Sequence, residues 1–106
     1  MSPLKIFASM EEASRRLAEN KPQLLIIGSV RICLVMRNGE LMAVSDKCTH
    51  NGESLSKGSV NYIGEIVCPW HGNRFNLRTG READEKSQDL ATYTISTTAD
   101  GVFINI

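Results

Sequence analysis

The 106-residue chain is poor in the side chains that bind metals or form disulfides, with only two histidines and three cysteines. Its formal net charge is zero, so we expect no basic surface for nucleic acid or for an anionic membrane. No apolar run reaches the roughly 18 residues of a membrane-spanning helix, and residues 1–5 do not lead into a signal-peptide segment. We therefore predict one cytoplasmic domain with reduced cysteines.

The scarce histidines and cysteines are concentrated in two short motifs. Cys48-Thr49-His50 is followed, after 17 residues, by Cys68-Pro69-Trp70-His71, and the motifs use both histidines and two of the three cysteines. A cysteine with a histidine two or three residues later can present both side chains on one side of a loop. The spacing predicts two loops that hold one metal centre. Its candidate ligands are Cys48, His50, Cys68 and His71.

This set of donors allows two kinds of metal centre. Two cysteines and two histidines could hold one tetrahedral zinc ion, although structural zinc sites usually pair cysteine with cysteine and histidine with histidine. Each motif here carries one of each. That arrangement suits a two-iron cluster in which one iron takes both cysteines and the other takes both histidines. The pattern favours iron and leaves zinc as an alternative.

The residues around the ligands resemble a known family. Residues 48–52 (CTHNG) and 68–80 (CPWHGNRFNLRTG) are similar to the two cluster loops of Rieske-type [2Fe-2S] ferredoxins. The resemblance covers most of the chain and is weakest over the first 30 residues and at 81–91. It implies one [2Fe-2S] cluster per chain, with the two cysteines on a buried iron and the two histidines on the solvent-facing iron.

Alternating apolar residues and frequent turn residues predict six or more short strands and one helix. The clearest hairpin joins residues 32–37 to 40–45 through an Asn-Gly pair, which suits a type I′ turn. A capping box at Ser9 and Glu12 begins a short N-terminal helix, which we expect to end at residues 20–22. The fold class is therefore mainly β.

The predicted architecture is a small antiparallel β-sandwich or barrel of the Rieske type, with one domain over residues 1–106. Partly because of the resemblance, we expect residues 46–80 to form a cluster-binding subdomain. This subdomain would be inserted into a β base made from residues 1–45 and 81–106.

Six further residues are candidates for the surroundings of the cluster: Gly52, Leu55, Trp70, Gly72, Asn73 and Phe75. The two glycines are expected to serve as turn residues, to let backbone N–H groups approach sulfur, or to do both. Leu55 either shields the cluster from water or anchors its own loop. Trp70 is either exposed for docking or packed over the cluster.

High-potential members of the family differ from this chain at four positions. They carry an extra cysteine in each loop, joined as a disulfide, where Glu53 and Trp70 stand here. They also place a serine and a tyrosine as hydrogen-bond donors to sulfur where this chain has Asn73 and Phe75. Fewer donors stabilise the reduced state less, so we predict a potential nearer about −150 mV than about +300 mV.

Two other regions carry weaker signals. Many family members have a proline-bearing loop at 81–91, but this chain has no proline after Pro69, so we expect a differently built loop. The acidic residues of this region are expected to form a solvated face, with docking as a minority alternative; they are Glu82, Asp84, Glu85 and Asp89. Cys33 lies in an apolar run and is expected to be a core thiol.

The resemblance implies a soluble one-electron carrier that is not itself an enzyme. Such a ferredoxin passes electrons from an NADH-dependent flavoprotein reductase to a terminal oxygenase of aromatic-ring or related substrates, through transient interfaces below about 1,200 Å². The alternatives are a nitrite reductase small-subunit-like protein, a redox-sensing Rieske module and a structural Cys2His2 zinc domain.

Overall fold

The computed structural model describes residues 3–50 and 52–106; Asn51, part of the first predicted cluster loop, lies outside the described residues. Nine strands and two helical segments occupy this part of the chain. The strands are β1 (Pro3–Phe7), β2 (Gln23–Ile27), β3 (Val30–Arg37), β4 (Glu40–Ser45), β5 (Ser59–Val60), β6 (Glu65–Val67), β7 (Arg74–Asn76), β8 (Thr92–Thr98) and β9 (Gly101–Asn105). Helix α1 spans Met10–Arg16, and a short 3-10 helix spans Leu55–Lys57.

The strands form two antiparallel sheets. The large sheet has six strands in the order β1-β9-β8-β4-β3-β2, so it is built from both ends of the chain. The small sheet has three strands in the order β5-β6-β7 and lies between β4 and β8 in sequence. The predicted mainly β, antiparallel fold with one α-helix near the N-terminus is confirmed.

The β3–β4 hairpin has the predicted turn. Its register ends at the pair Arg37 and Glu40, which leaves two residues in the turn. Asn38 and Gly39 have φ angles of 52° and 76°. A type I′ turn requires positive φ at both central positions, and asparagine and glycine adopt it most readily.

Helix α1 begins as predicted and ends earlier. The Ser9 hydroxyl accepts the N–H of Glu12 at 3.1 Å, and the Glu12 carboxylate accepts the N–H of Ala8 at 2.9 Å. The helix stops at Arg16 rather than near residue 20. Leu17 is already extended, with a φ of −116°, and Asn20, with a φ of 58°, then donates its N–H to the Met36 carbonyl at 2.7 Å on β3.

The apolar interior has two parts. The part beside the metal-binding motifs, here called the cluster-side core, contains buried residues from both sheets and their loops: Cys33, Val35, Met42, Val44, Cys48, Leu55, Ile66, Cys68, Phe75, Leu77 and Leu90. The other part includes Ala13 and Leu17 of the α1 region, packed with residues of the large sheet. Full burial of each large apolar side chain contributes about 1.5–3 kcal/mol.

Cys33 is the core thiol that the sequence predicts. Its side chain is fully buried, and burial together with the nearby Asp46 carboxylate raises the pKa of the thiol to about 12. A thiol with such a pKa is protonated at neutral pH and is a poor nucleophile and ligand.

Candidate metal centre

The two motifs lie on loops with the same backbone closure. The N–H of Cys48 donates to the Glu53 carbonyl at 2.9 Å, and the N–H of Cys68 donates to the Asn73 carbonyl at 2.7 Å. Each bond spans five residues and places the cysteine at the base of its loop. The second loop connects β6 to β7, whereas the first follows β4 and leads into the 3-10 helix.

The two ligand types differ in exposure. Cys48 and Cys68 are each 1% exposed and belong to the cluster-side core, whereas His50 and His71 are exposed. Each loop therefore presents a thiol to the interior and an imidazole to the surface. This is the distribution that fits a two-iron cluster with one inner and one outer iron.

The described residues contain no group of three or more histidine, cysteine, aspartate or glutamate side chains that could hold one metal ion. A Rieske cluster does not need such a group, because each of its irons takes only two protein ligands.

The second loop has an unusual backbone at its histidine. His71 and Gly72 have φ angles of 71° and 69°. A side-chain-bearing residue in this region costs about 1–3 kcal/mol and is found most often at functional sites. A Cβ atom added to Gly72 would meet nothing within 4 Å, so glycine is needed for the φ angle and not for space.

Gly52 closes the first loop in the same way. Its φ is 79°, and its N–H donates to the Cys48 carbonyl at 2.8 Å. These contacts show the predicted turn role of Gly52, and the approach of backbone N–H groups to sulfur stays a prediction.

Trp70 lies at the surface beside the histidine of the second loop. Its side chain is 54% exposed, and its ring stacks on the His71 imidazole with centroids 5.0 Å apart and an interplanar angle of 22°. The indole therefore covers one face of a candidate ligand while remaining at the surface.

Leu55 and Phe75 are fully buried and pack in the cluster-side core with both motif cysteines. Leu55 also donates its N–H to the Asp46 carbonyl at 2.7 Å, so it anchors its own loop. A role in shielding the cluster from water stays a prediction. Asn73 is partly buried, and its carbonyl accepts the Cys68 N–H.

The expectation that the acidic residues at 82–89 form a solvated face is wrong for Glu82. This residue is 1% exposed, and its carboxylate accepts the N–H groups of Asp84 at 2.7 Å and Lys86 at 2.8 Å. These bonds, that of Asp84 foremost, lower the pKa of Glu82. The other three acidic residues are exposed as expected. Composition alone could not separate Glu82 from its neighbours, because the difference lies in the turn that it closes.

The segment at 81–91 lies against the first loop without using a proline. The Thr49 hydroxyl donates to the Gln88 carbonyl at 2.6 Å and lies 3.1 Å from the Ser87 hydroxyl. Leu90 of the same segment is buried in the cluster-side core. Thr49 stands between two candidate ligands, and its contact with a distant segment could not be found from the sequence.

Asp46, like Thr49, makes contacts that the sequence pattern does not indicate. It is 1% exposed, and its carboxylate accepts the Ser54 hydroxyl and the Ser56 N–H, the latter at 2.7 Å. We call these bonds the Asp46 clasp. The guanidinium of Arg31 lies 3.8 Å from the same carboxylate. The clasp joins the two ends of the segment that carries the first loop.

Comparisons with known proteins agree with this geometry. The Rieske [2Fe-2S] domain family matches residues 9–94. The 3-phenylpropionate/cinnamic acid dioxygenase ferredoxin subunit of Escherichia coli (strain K12) is 32% identical over 76 residues, which cover 71% of this chain and 72% of that protein. Human Apoptosis-inducing factor 3 is 44% identical over 54 residues, but they cover 51% of this chain and only 9% of that protein.

Among solved structures, a chain from the complex of reduced oxygenase and oxidized ferredoxin in carbazole 1,9a-dioxygenase superimposes with a TM-score of 0.79. It is 26% identical, and the alignment covers 96% of this chain and 100% of that chain. No helix in the described part of the chain is long and apolar enough to cross a membrane.

Proposed function

The chain belongs to the Rieske [2Fe-2S] family, and from that premise we propose that it is a one-electron carrier of an oxygenase system and not an enzyme. It holds one [2Fe-2S] cluster per chain. We propose Cys48 and Cys68 as ligands of the inner iron and His50 and His71 as ligands of the outer iron. The observation that carries the proposal is the contrast between buried cysteines and exposed histidines on loops of equal closure.

The cluster and the residues around it have different roles in an electron carrier. The bound cluster supplies the capacity to take up and release one electron. Leu55 and Phe75 exclude water from the side of the cysteines, because both are fully buried beside them. His50 and His71 present imidazole edges at the surface, where a partner protein can approach.

The proposed partners are an NADH-dependent flavoprotein reductase as donor and a terminal oxygenase as acceptor. The Escherichia coli relative is the ferredoxin subunit of a dioxygenase, and the carbazole 1,9a-dioxygenase structure contains an oxygenase together with a ferredoxin. Both support an oxygenase as acceptor. Transient interfaces below about 1,200 Å² suit a carrier that must leave each partner. Location in the cytoplasm stays a prediction.

We also propose that residues 46–80 act as the cluster-binding unit, supported by a base of residues 1–45 and 81–106. The small sheet and both ligand loops fall within this unit. The contact of Thr49 with Gln88, and the pairing of Phe75 with Glu82, connect the unit to the C-terminal part of the base.

The first test is chemical composition. We expect two irons and two labile sulfides per chain, visible charge-transfer absorption and an EPR signal that appears on reduction. One equivalent of zinc in a colourless protein without sulfide would exclude the proposal and favour the structural zinc alternative.

The second test is electron transfer. The dioxygenase system of the Escherichia coli relative can be reconstituted with this chain in place of its ferredoxin subunit, and product formation measured. We expect turnover that depends on this chain and is lost with His71→Ala. An intact cluster that supports no turnover, with this or any other reductase and oxygenase pair, would favour the redox-sensing alternative.

A further inference from the structure

A carboxylate without an assigned role lies behind the first ligand loop. Asp46 is 1% exposed and stands directly after strand β4, two residues before Cys48. Its carboxylate takes part in the clasp with Ser54 and Ser56. The Arg31 guanidinium at 3.8 Å is the only cation that forms an ion pair with it among the described residues, and the Arg31 side chain is 52% exposed. The negative charge is therefore buried, whereas its counter-charge is half in water.

The position of Asp46 in the chain keeps its backbone close to that of Cys48. Two peptide steps separate their Cα atoms by at most about 7 Å. The Asp46 carbonyl also accepts the N–H of Leu55, which packs with both motif cysteines in the cluster-side core. In such an apolar surrounding, charges interact several times more strongly than in water.

The Asp46 carboxylate also acts on another sulfur of this core, that of Cys33. Cys33 packs in the same cluster-side core as Cys48 and Cys68. Burial is the main cause of its raised pKa, and the Asp46 carboxylate is the second cause. The carboxylate thus opposes negative charge on a sulfur atom of this core.

We propose that Asp46 is a potential-setting residue, whose buried negative charge lowers the reduction potential of the cluster bound beside Cys48. Reduction adds one electron, and a fixed negative charge nearby makes that addition less favourable. Arg31 offsets part of the effect, but water screens its exposed guanidinium. This inference rests on the proposed function only in taking Cys48 as a cluster ligand.

The test compares two variants that remove one negative charge each. Asp46→Asn keeps the size of the side chain and can still bond Ser54 and Ser56 through its amide. Glu40→Gln is the matched control, since Glu40 is an exposed carboxylate at the opposite end of β4, about 20 Å along the strand. Protein-film voltammetry of the holoproteins should show a clear upward shift of the midpoint for Asp46→Asn and no resolved shift for Glu40→Gln.

Two further variants separate the charge of Asp46 from its role in holding the loop. Ser54→Ala removes a clasp bond and keeps the charge, so the midpoint should stay or fall. Arg31→Gln removes the counter-charge, so the midpoint should fall. If Asp46 acted only by positioning the loop, Asp46→Asn and Ser54→Ala would shift the midpoint in the same direction.

An unchanged or lowered midpoint for Asp46→Asn with an intact cluster would overturn the proposal. If Asp46→Asn does not retain its cluster, the midpoint of Arg31→Gln tests the proposal instead. An unchanged or raised midpoint in Arg31→Gln would overturn the proposal. Iron and sulfide analysis of Cys48→Ala keeps the two proposals distinguishable: a full cluster in that variant would disprove the ligand assignment, independently of any measured potential.

Discussion

The first ligand loop, residues 48–53, and the second, residues 68–73, close with the same cysteine N–H bond, but different parts of the chain hold them in place. The first loop is flanked by a single antiparallel bridge between Lys47 and Ser54 and is also held by side chains. Thr49 bonds the segment at 87–88, and the Asp46 clasp joins the ends of the surrounding segment. The second loop is the connection between β6 and β7, whose register brings Val67 opposite Arg74.

This difference shows how one metal centre can be supported by two kinds of structure. A loop at the end of a strand pair inherits its geometry from local backbone pairing. A loop flanked by only a single bridge relies more on side-chain bonds, both within its own segment and to residues that are distant in sequence. We therefore expect the first loop to be sensitive to single polar side chains, and the second loop to be sensitive mainly at its ligands.

Replacement of a cysteine ligand should have the largest effect on cluster binding, and this effect should be the same for both loops. Cys48→Ala and Cys68→Ala should each abolish cluster binding, because the loss of one thiolate leaves the inner iron with a single protein ligand. Iron and sulfide content after purification measures the effect. Retention of the cluster in only one of these variants would show that the loops do not share one centre.

Cys33→Ala is the matched control, since Cys33 is also a buried cysteine of the cluster-side core. We expect full cluster content and a loss of about 1 kcal/mol in the free energy of unfolding. A bleached protein would mean that the ligand set has been assigned wrongly.

The next largest effect should be a loss of stability on replacement of Glu82, in the segment at 81–91 that contacts the first loop. Glu82→Gln should lower the free energy of unfolding by about 2 kcal/mol at pH 7, because hydrogen bonds to a charged acceptor are stronger than those to an amide. The exposed Glu85, which pairs with Arg81 at 3.2 Å, is the control, and Glu85→Gln should change stability by less than about 1 kcal/mol.

The pH dependence of the Glu82 effect has a defined sign. The pKa of Glu82 is lower in the folded than in the unfolded chain. Its stabilising effect is therefore complete above the unfolded value of about 4.3 and is lost as the pH falls through the folded value. Urea titrations at pH 7 and at lower pH should show the difference between wild type and Glu82→Gln shrinking in acid. A difference that grows in acid would contradict this assignment.

A smaller effect, on the rate of cluster loss, should follow from replacing Thr49, whose hydroxyl bonds the first loop to residues 87–88. Thr49→Val removes the bond to the Gln88 carbonyl but keeps the shape of the side chain. A loss of about 1 kcal/mol should accelerate cluster loss roughly fivefold, followed as bleaching of visible absorption in the presence of a chelator. Thr49→Ser keeps the hydroxyl and should behave like the wild type. Equal rates for the two variants would show that this bond does not support the loop.

The sequence could predict those features that depend on local pattern. The Asn38-Gly39 turn and the Ser9 cap need only neighbouring residues, and the spacing of the two cysteine–histidine motifs indicates candidate ligands. Thr49 and Glu82 could not be found in this way. Their roles depend on which segment lies opposite them, and a polar side chain carries no periodic signal for such a contact.

Two residues of the second loop region, Asn73 and Phe75, should also affect the reduction potential of the cluster. Phe75 is fully buried beside both motif cysteines, and Asn73 lies at the end of the loop. We expect a hydroxyl at either position to donate a hydrogen bond to cluster sulfur. Such a bond strengthens when reduction adds negative charge, so it raises the potential. The second loop would then tune the potential through missing donors, whereas the first tunes it through the charge of Asp46.

The size of this effect follows from the difference in bond strength between the two oxidation states. A hydrogen bond to a charged group is worth roughly 1.5–3 kcal/mol, and a difference of about 1 kcal/mol corresponds to about 40 mV for one electron. Phe75→Tyr and Asn73→Ser should each raise the midpoint by tens of millivolts, roughly additively if they reach different sulfurs. Voltammetry of both single variants and the double variant measures this. Unchanged or lowered midpoints with intact clusters would place residues 73 and 75 outside hydrogen-bonding reach of the cluster.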